Sequence, residues 1–305
     1  MNKPSVSVIV LSFNTKDITD KCLSELSLAK KEAEKEKIES EVIVIENASA
    51  DGSAEMIRDK YPWVKLIISK ENTGFAKGNN MAMEKAAGDY FLLLNSDALV
   101  RKDTLVKAVN YFEKQPDCDV LGCRLTYPDG SFQPSGGELP GPGNVATWLM
   151  GVELIPITYN LVSPIHPKNI RYFVKDREVG WVTGAFMMLR REVYEKTKGF
   201  DEAFFMYTEE VEWSKRIKTA GFKIFYTPSF SVTHIGKASS KFAETTPLVR
   251  EMTGMKLFFK KHHPGYLGCL SLLIWVSSLL RLLAFGLLGK KDKALAYWKI
   301  ITRHE

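Results

Sequence analysis

Short apolar runs alternate with longer stretches of helical period through the first third of the chain. Val6 to Phe13, Val42 to Ile45, Leu66 to Ile68 and Tyr90 to Leu94 predict strands, and residues 17–37, 53–60, 76–87 and 102–114 predict helices. The strands are apolar along their whole length instead of alternating. That is the mark of a sheet buried on both faces, and crossover helices between the strands make it mostly parallel. The expected class is therefore α/β, doubly wound. From Tyr127 to Pro167 the pattern dissolves into prolines and glycines, which predicts long loops of the kind that form lids or binding surfaces. Order resumes at Gly184 to Leu189, with a helix from Glu209 to Ala220 and a strand pair at Lys223 to Thr227 and Phe230 to His234. No internal repeat is evident.

In doubly wound sheets ligands bind beyond the carboxyl ends of the strands, so the residues after each apolar run carry the chemical information. Here they are Ser12-Phe13-Asn14, then Glu46 through Ser53, then Glu71-Asn72-Thr73-Gly74, then Asn95-Ser96-Asp97. All four ends are polar, which predicts one crevice.

Composition adds little to this picture and charge adds more. With 305 residues, 45% hydrophobic and 26% charged, the chain has room for a large core. The net charge of +6 is lopsided: from Arg250 onward ten Lys/Arg face three acidic residues, leaving the first 249 residues near −1. The basic residues flank an apolar stretch, Tyr266 to Gly289, which points to anionic lipid and away from nucleic acid. That stretch is 24 residues long with Arg281 as its one charge. A bilayer needs about 20 residues per span, but an Arg near mid-span costs about 2.5–3.5 kcal/mol. Lysines at both ends favour keeping both ends cytosolic, so an interfacial or re-entrant anchor is expected, with a helix packed on the protein as the competing reading. Cys22, Cys118, Cys123 and Cys269 have no metal or disulfide spacing, and Met1-Asn2-Lys3-Pro4 leads straight into the first strand without a secretion signal. A reduced, cytoplasmic setting at the inner face of the cell membrane is the expectation.

Four groups of residues suggest chemistry. Asp97 closes the fourth strand, either as a carboxylate shared by a divalent cation and a diphosphate or as a cap of the next helix. Glu209, Glu210 and Glu212 crowd the start of a helix, where acids complement the dipole but where one could also deprotonate a hydroxyl. His234 precedes a glycine turn; a lone histidine is more often structural than a ligand. Gly74 to Asn80 opens a helix whose backbone N–H groups could meet a nucleotide. The dinucleotide GxGxxG pattern after the first strand and the P-loop pattern are both missing, which disfavours hydride transfer and P-loop chemistry.

In order along the chain, Val6 to Asn14, Glu46 to Ser53, Asn72 to Asn80 and Leu92 to Asp97 resemble the motifs of family 2 glycosyltransferases. Trp181 to Met187, Gly199 to Glu202 and Phe205 to Glu210 resemble the rhamnosyltransferase-like branch. The resemblance implies a GT-A fold over residues 1–245, a nucleotide diphosphate sugar donor (dTDP-linked rhamnose first, UDP-sugars next), Mg²⁺ or Mn²⁺, and inversion at the anomeric carbon. It implies Asp97 and His234 at the metal, Glu210 as catalytic base with Glu209 in reserve, and Ser12, Asn14, Glu46, Asn79 and Asn95 at the nucleotide-sugar. Glu46 and Glu210 stand where Asp is commoner, and Ser96 where Pro is usual. Residues 246–305 are the expected membrane-surface tail, which makes a glycan or polyprenyl-linked acceptor natural. A nucleotidyltransferase wants a basic glycine-rich loop after the first strand, where Ser12-Phe13-Asn14-Thr15 stands instead. A scaffold that binds sugar nucleotides or glycans without turnover is the remaining alternative.

Overall fold

The computed structural model describes residues 3–152, 163–236 and 247–302. The expected domain boundary at 245/246, the stretch 153–162 of the Pro/Gly-rich region and the first two residues fall outside them. The first half lays down β1 (Ser5–Ser12), α1 (Lys16–Lys35), β2 (Glu39–Glu46), α2 (Ser53–Lys60), β3 (Lys65–Ile68), α3 (Gly74–Met83) and β4 (Tyr90–Asn95), close to the pattern of apolar runs. β5 (Ala98–Leu99), α4 (Thr104–Lys114), β6 (Val120–Thr126), β7 (Phe132–Gln133), β8 (Gly136–Gly137) and α5 (Pro142–Leu149) come next. Then come β9 (Arg177–Glu178), β10 (Trp181–Val182), β11 (Phe186–Arg190), α6 (Arg191–Thr197), α7 (Glu209–Thr219) and β12 (Ile224–His234). The chain continues as α8 (Pro247–His262), α9 (Leu267–Leu287) and α10 (Lys291–Thr302).

The main sheet runs β3-β2-β1-β4-β11-β6-β12-β5, with β7 on β6 and β9 on β12. β1 pairs in parallel with β2 and β4, β2 with β3 and β6 with β12; β11 enters antiparallel between β4 and β6. Strand alternation sorts the core. Val6, Val8, Val10, Leu92 and Leu94 face α1 and α4, whose Leu23, Leu26, Leu105 and Phe112 cover them. Ile9, Phe91 and Leu93 face the other side, beneath Ala82, Met83, Val193 and Trp213. Burying both faces is what an unbroken apolar strand requires.

Three expectations change in detail. The strand pair at 223–234 is one strand, β12, whose register against β6 slips between Thr227 and Ser231. Pro228 lies in that slip and has no N–H for the ladder, so the strand bulges there instead of ending. β6 is a central strand that the apolar pattern does not announce, because Gly122 and Arg124 interrupt its run. The Pro/Gly-rich region holds β7, β8 and α5 as well as loops.

The C-terminal helices are not a detached appendage. Met252, Met255 and Phe258 of α8, with Leu270 and Ile274 of α9, share a third core with Val145, Trp181, Phe204 and Val211. Gly254 of α8 lies so close to Thr208 that a Cβ there would stand 2.5 Å from its hydroxyl. α10 folds back along α9, where Phe285 stacks on Tyr297 at 5.8 Å and Arg281 reaches the Ser277 carbonyl at 3.2 Å with its guanidinium over the Tyr297 ring. Leu272, Trp275, Leu280, Leu283, Leu287 and Trp298 remain exposed.

Candidate active site

Polar residues that follow β1, β2 and β4 meet at the carboxyl ends of these strands, and the walls of this crevice are cross-linked by their own polar side chains. Asn14, with φ near +50°, accepts from the Ala50 N–H at 2.9 Å, and its own N–H donates to Ser49 Oγ at 2.8 Å. Glu46, buried at the end of β2, accepts from the Ser49 N–H at 2.8 Å. Ser12 is fully buried and bonds Thr19 at 3.0 Å, so its hydroxyl shapes the wall from behind. Asn79 is likewise turned inward, donating to the Phe75 carbonyl at 2.9 Å. Asn47, to which the sequence gives no separate role, is the hub. Its Oδ1 accepts from the Thr73 N–H and hydroxyl, and its amide donates to Asn72 Oδ1, fastening the β2 loop to the start of α3. Gly74 opens α3 at φ +79°, and a Cβ there would meet the Phe205 carbonyl at 2.6 Å, so the loop ahead of α7 lies directly against this turn.

Asp97 and His234 meet across the crevice, from the end of β4 and the end of β12. His234 Nε2 is 3.1 Å from Asp97 Oδ1, and both side chains are largely buried. Asn95 Nδ2 lies 3.4 Å from the same Nε2. The other ring nitrogen, Nδ1, lies 3.0 Å from Gln133 Oε1, an acceptor, which places a proton on Nδ1. In the neutral ring Nε2 is then a lone pair facing a carboxylate oxygen. Two acceptors at that distance call for a positive charge between them, supplied by a second proton or by a cation. Among the described residues no group of three or more His, Cys, Asp and Glu is arranged to hold a metal ion, so the Asp97–His234 contact is a pair and not a complete ligand set.

The three acids at the start of α7 separate once their partners are known. Glu212 is buried and fully committed: Arg216 grips both its oxygens at 3.1 and 2.9 Å, His262 of α8 lies 3.2 Å away, and Arg216 also donates to the Gly199 carbonyl. Glu209 and Glu210 have no such cation among the described residues. Each has an Oε2 that is buried there without a hydrogen-bond partner. Burial, reinforced by the neighbouring Glu210, holds the Glu209 carboxyl well above the usual carboxylate range. Burial also raises Glu210, to about 6, against the opposing pull of its own backbone N–H and of His166. The two residues before the helix, Tyr207 and Thr208, both sit at φ +74°, a conformation that costs non-glycine residues energy and persists only where packing enforces it. Here the packing against Gly254 and the Gly74 turn does so.

Glu210 opens into a cavity of about 260 Å³ shared with His166, Trp181, Thr183, Tyr207 and Glu251. Pro134, next in sequence to the Gln133 that bonds His234, forms part of its wall, while Asp97 and His234 themselves do not line it. His166 and Glu251 escape sequence reasoning because each is unremarkable locally; only the third core brings them together. Asn47 was visible as a polar residue after a strand, and nothing in its neighbours marks it as the hub.

The chain resembles several known proteins at this level of detail. It is 24% identical over 278 residues, 85% of each chain, to the N-acetylglucosaminyl-diphospho-decaprenol L-rhamnosyltransferase of Mycobacterium tuberculosis. It is 28% identical over 170 residues to the rhamnosyltransferase WbbL of Escherichia coli, covering 53% of this chain and 60% of that one. Among solved structures, a mannosyltransferase from Pyrobaculum calidifontis in complex with GDP-mannose and Mn²⁺ matches at TM-score 0.55 and 18% identity, over 98% of this chain and 84% of that one. Staphylococcus aureus TarS in complex with UDP-GlcNAc matches at TM-score 0.54 and 17% identity, over 83% of this chain and 65% of that one. These likenesses establish the GT-A fold. The glycosyl transferase family 2 model matches residues 7–198, most of the sheet and its strand-end motifs, and the chain belongs to that family.

Proposed function

We propose that this glycosyltransferase inverts the anomeric centre of a deoxyhexose, rhamnose first, as it moves the sugar from a nucleoside diphosphate to a hydroxyl of a lipid-linked sugar. The observation that carries this reading is Glu210, a residue that lines a cavity and has a buried carboxylate oxygen without a hydrogen-bond partner among the described residues. A carboxyl raised to about 6 is largely ionised at neutral pH and still basic enough to take a proton from an attacking hydroxyl. The hydroxyl oxygen bonds to the anomeric carbon, the bond to the diphosphate breaks on the opposite face, and Glu210 carries away the proton. Glu209 sits deeper and its more strongly raised carboxyl suits it less to that task.

Asp97 and His234 would hold a divalent cation, because the lone pair of one faces the charged oxygen of the other. Mg²⁺ or Mn²⁺ bound there supplies positive charge for the leaving diphosphate. Asn14, Glu46 and Asn95 belong to the nucleotide-sugar side of the crevice, with Ser12, Asn47 and Asn79 shaping it from behind. The transferred rhamnosyl group and the lipid-diphosphate acceptor are supported by the M. tuberculosis relative, whose name specifies both.

A thermal-shift screen of dTDP-rhamnose, UDP- and GDP-sugars with Mg²⁺, Mn²⁺ or EDTA tests the reading. A ligand that binds only the native state at 100 times its dissociation constant stabilises it by about 2.7 kcal/mol. The expected result is a metal-dependent rise in Tm with dTDP-rhamnose; folded protein indifferent to every donor would leave the non-catalytic, glycan-binding scaffold.

The tail is read as an interfacial anchor on the cytoplasmic face of the membrane. Pro264–Leu287 has a mean hydropathy of 2.0 and is long and apolar enough, by length and composition, to cross a bilayer. Arg281, however, is turned toward α10, and the exposed leucines and tryptophans are flanked by Lys290, Lys291, Lys293 and Lys299. Apolar surface beside a basic rim suits insertion into one leaflet of an anionic membrane. In a flotation assay the full-length protein is expected to rise with vesicles containing anionic phospholipid and to stay down with neutral ones at moderate salt. Protein that remains entirely soluble without detergent and ignores both would remove the anchor.

A further inference from the structure

The cavity beside Glu210 has two chemically different linings. Trp181 and Tyr207 contribute aromatic side chains, and His166, Glu251 and Thr183 polar ones. The Trp181 indole is fixed by its N–H donating to the Ile165 carbonyl at 3.1 Å. The His166 ring is held between Trp148 and Trp181, with centroids 5.3 and 5.4 Å away, and its Nε2 lies 2.9 Å from Glu251 Oε1. That contact has the distance of an ion pair without the alignment of a hydrogen bond, and His166 Nε2 is a buried atom without a hydrogen-bond partner among the described residues. Aromatic side chains together with a carboxylate and an imidazole in one cavity match a pyranose, which presents a C–H face and a rim of hydroxyls. At about 260 Å³ the space is below the roughly 300–1,000 Å³ of drug-sized ligand pockets, which suits one sugar ring and not an oligosaccharide.

The position of Glu251 adds a direction. It lies on α8, whose next helix is the apolar α9, so the same segment walls the cavity and leads to the exposed apolar surface. We propose that this cavity is the acceptor subsite, taking a single pyranose of a lipid-linked glycoside, and that Glu251 and His166 hold its hydroxyls so that one faces Glu210. The proposal rests on the glycosyl-transfer reading above. It makes Glu251, outside the stretch that matches the family model, an acceptor-binding residue contributed by the C-terminal helices.

The test uses the full-length protein, with octyl N-acetylglucosaminide as the acceptor probe. Binding is followed by tryptophan fluorescence and transfer by release of nucleoside diphosphate. Glu251→Gln preserves volume and removes the charge. It is expected to weaken probe binding and raise the acceptor KM about tenfold or more, the scale of one lost charged hydrogen bond, while the donor-induced thermal shift stays at the wild-type value. Glu251→Asp should recover part of the loss. A second readout separates binding from mere support of the fold. The groups facing Glu210 are Glu209 on its own helix, His166, Tyr207 and Glu251, with Arg250 of α8 beside Tyr207. Glu251 opposes ionisation of Glu210, so its neutral variant should move the acid limb of kcat/KM to lower pH. Unchanged probe affinity, acceptor KM and acid limb in folded Glu251→Gln would overturn the proposal. So would wild-type protein that binds donor yet shows neither quenching nor transfer with the probe; the donor reading would then stand. Wild-type protein that fails to bind donor as well would take both down.

Discussion

Glu210→Gln is expected to lower kcat by about 10²–10⁴-fold, the range contributed by a positioned general base, with the donor-induced thermal shift preserved. The amide keeps the volume of the side chain at the cavity wall but cannot accept a proton. Because Glu210 titrates at about 6, wild-type kcat/KM should fall roughly tenfold per pH unit below that value, and the residual activity of the variant should lose this limb. Stability should move the opposite way. The folded-state value lies above the 4.5 of a free glutamate, so the native state binds the proton more tightly. The resulting stabilisation is complete below 4.5 and is lost as pH rises through about 6. At pH 7–8 the wild type therefore buries a charge at a cost that the variant avoids, and Glu210→Gln should melt about 2–4 °C higher, the shift that ~1 kcal/mol produces in a chain of this size. An inactive variant that is also less stable would mean a damaged fold. Near-normal turnover would pass the base role to Glu209, whose own Gln variant then becomes the decisive one.

That pair of opposite effects could not have been assigned from the sequence. Glu209, Glu210 and Glu212 look equivalent there, since all three complement a helix dipole. What separates them is tertiary: Arg216 and His262 neutralise Glu212, while nothing comparable among the described residues reaches the other two. The sheet was far more legible, because β1, β2 and β4 are buried on both faces and a buried strand writes an unbroken apolar run. Legibility failed where one residue serves a contact instead of the pattern, at Pro228 in β12 and at Gly122 in β6. The strand-end rule located the crevice correctly, yet it did not distinguish side chains that face it from those that brace it. Ser12 and Asn79 are turned into the structure, and Gln133, which orients His234, lies in a region whose glycines and prolines carry no periodic signal. His166 and Glu251 meet only because α8 packs into the third core.

Asp97→Ala is expected to abolish metal-dependent transfer, with a loss on the order of 10²–10³-fold or more, the scale seen when one electrostatic stabiliser of a developing anion is removed. Its effect should differ in kind from that of Glu210→Gln. Charge builds on the diphosphate as its bond to the sugar breaks, so losing the cation site weakens both the ground-state complex and, more strongly, the transition state. The variant should therefore lose the metal-dependent part of the donor thermal shift, which Glu210→Gln retains. His234→Ala should fall between wild type and Asp97→Ala, because the carboxylate supplies the charge and the imidazole only a neutral lone pair whose direction Gln133 sets. The fold should tolerate Asp97→Ala well, since the substitution removes a buried carboxylate whose one close side-chain partner among the described residues is His234 Nε2. Activity of wild-type protein that survives exhaustive chelation, or near-normal turnover of Asp97→Ala in a metal-controlled preparation, would take the cation out of the mechanism. The 3.1 Å contact would then be an imidazolium–carboxylate ion pair bracing the ends of β4 and β12. In that case both substitutions should lower Tm together, and a double-mutant cycle should show strong coupling in stability and none in catalysis.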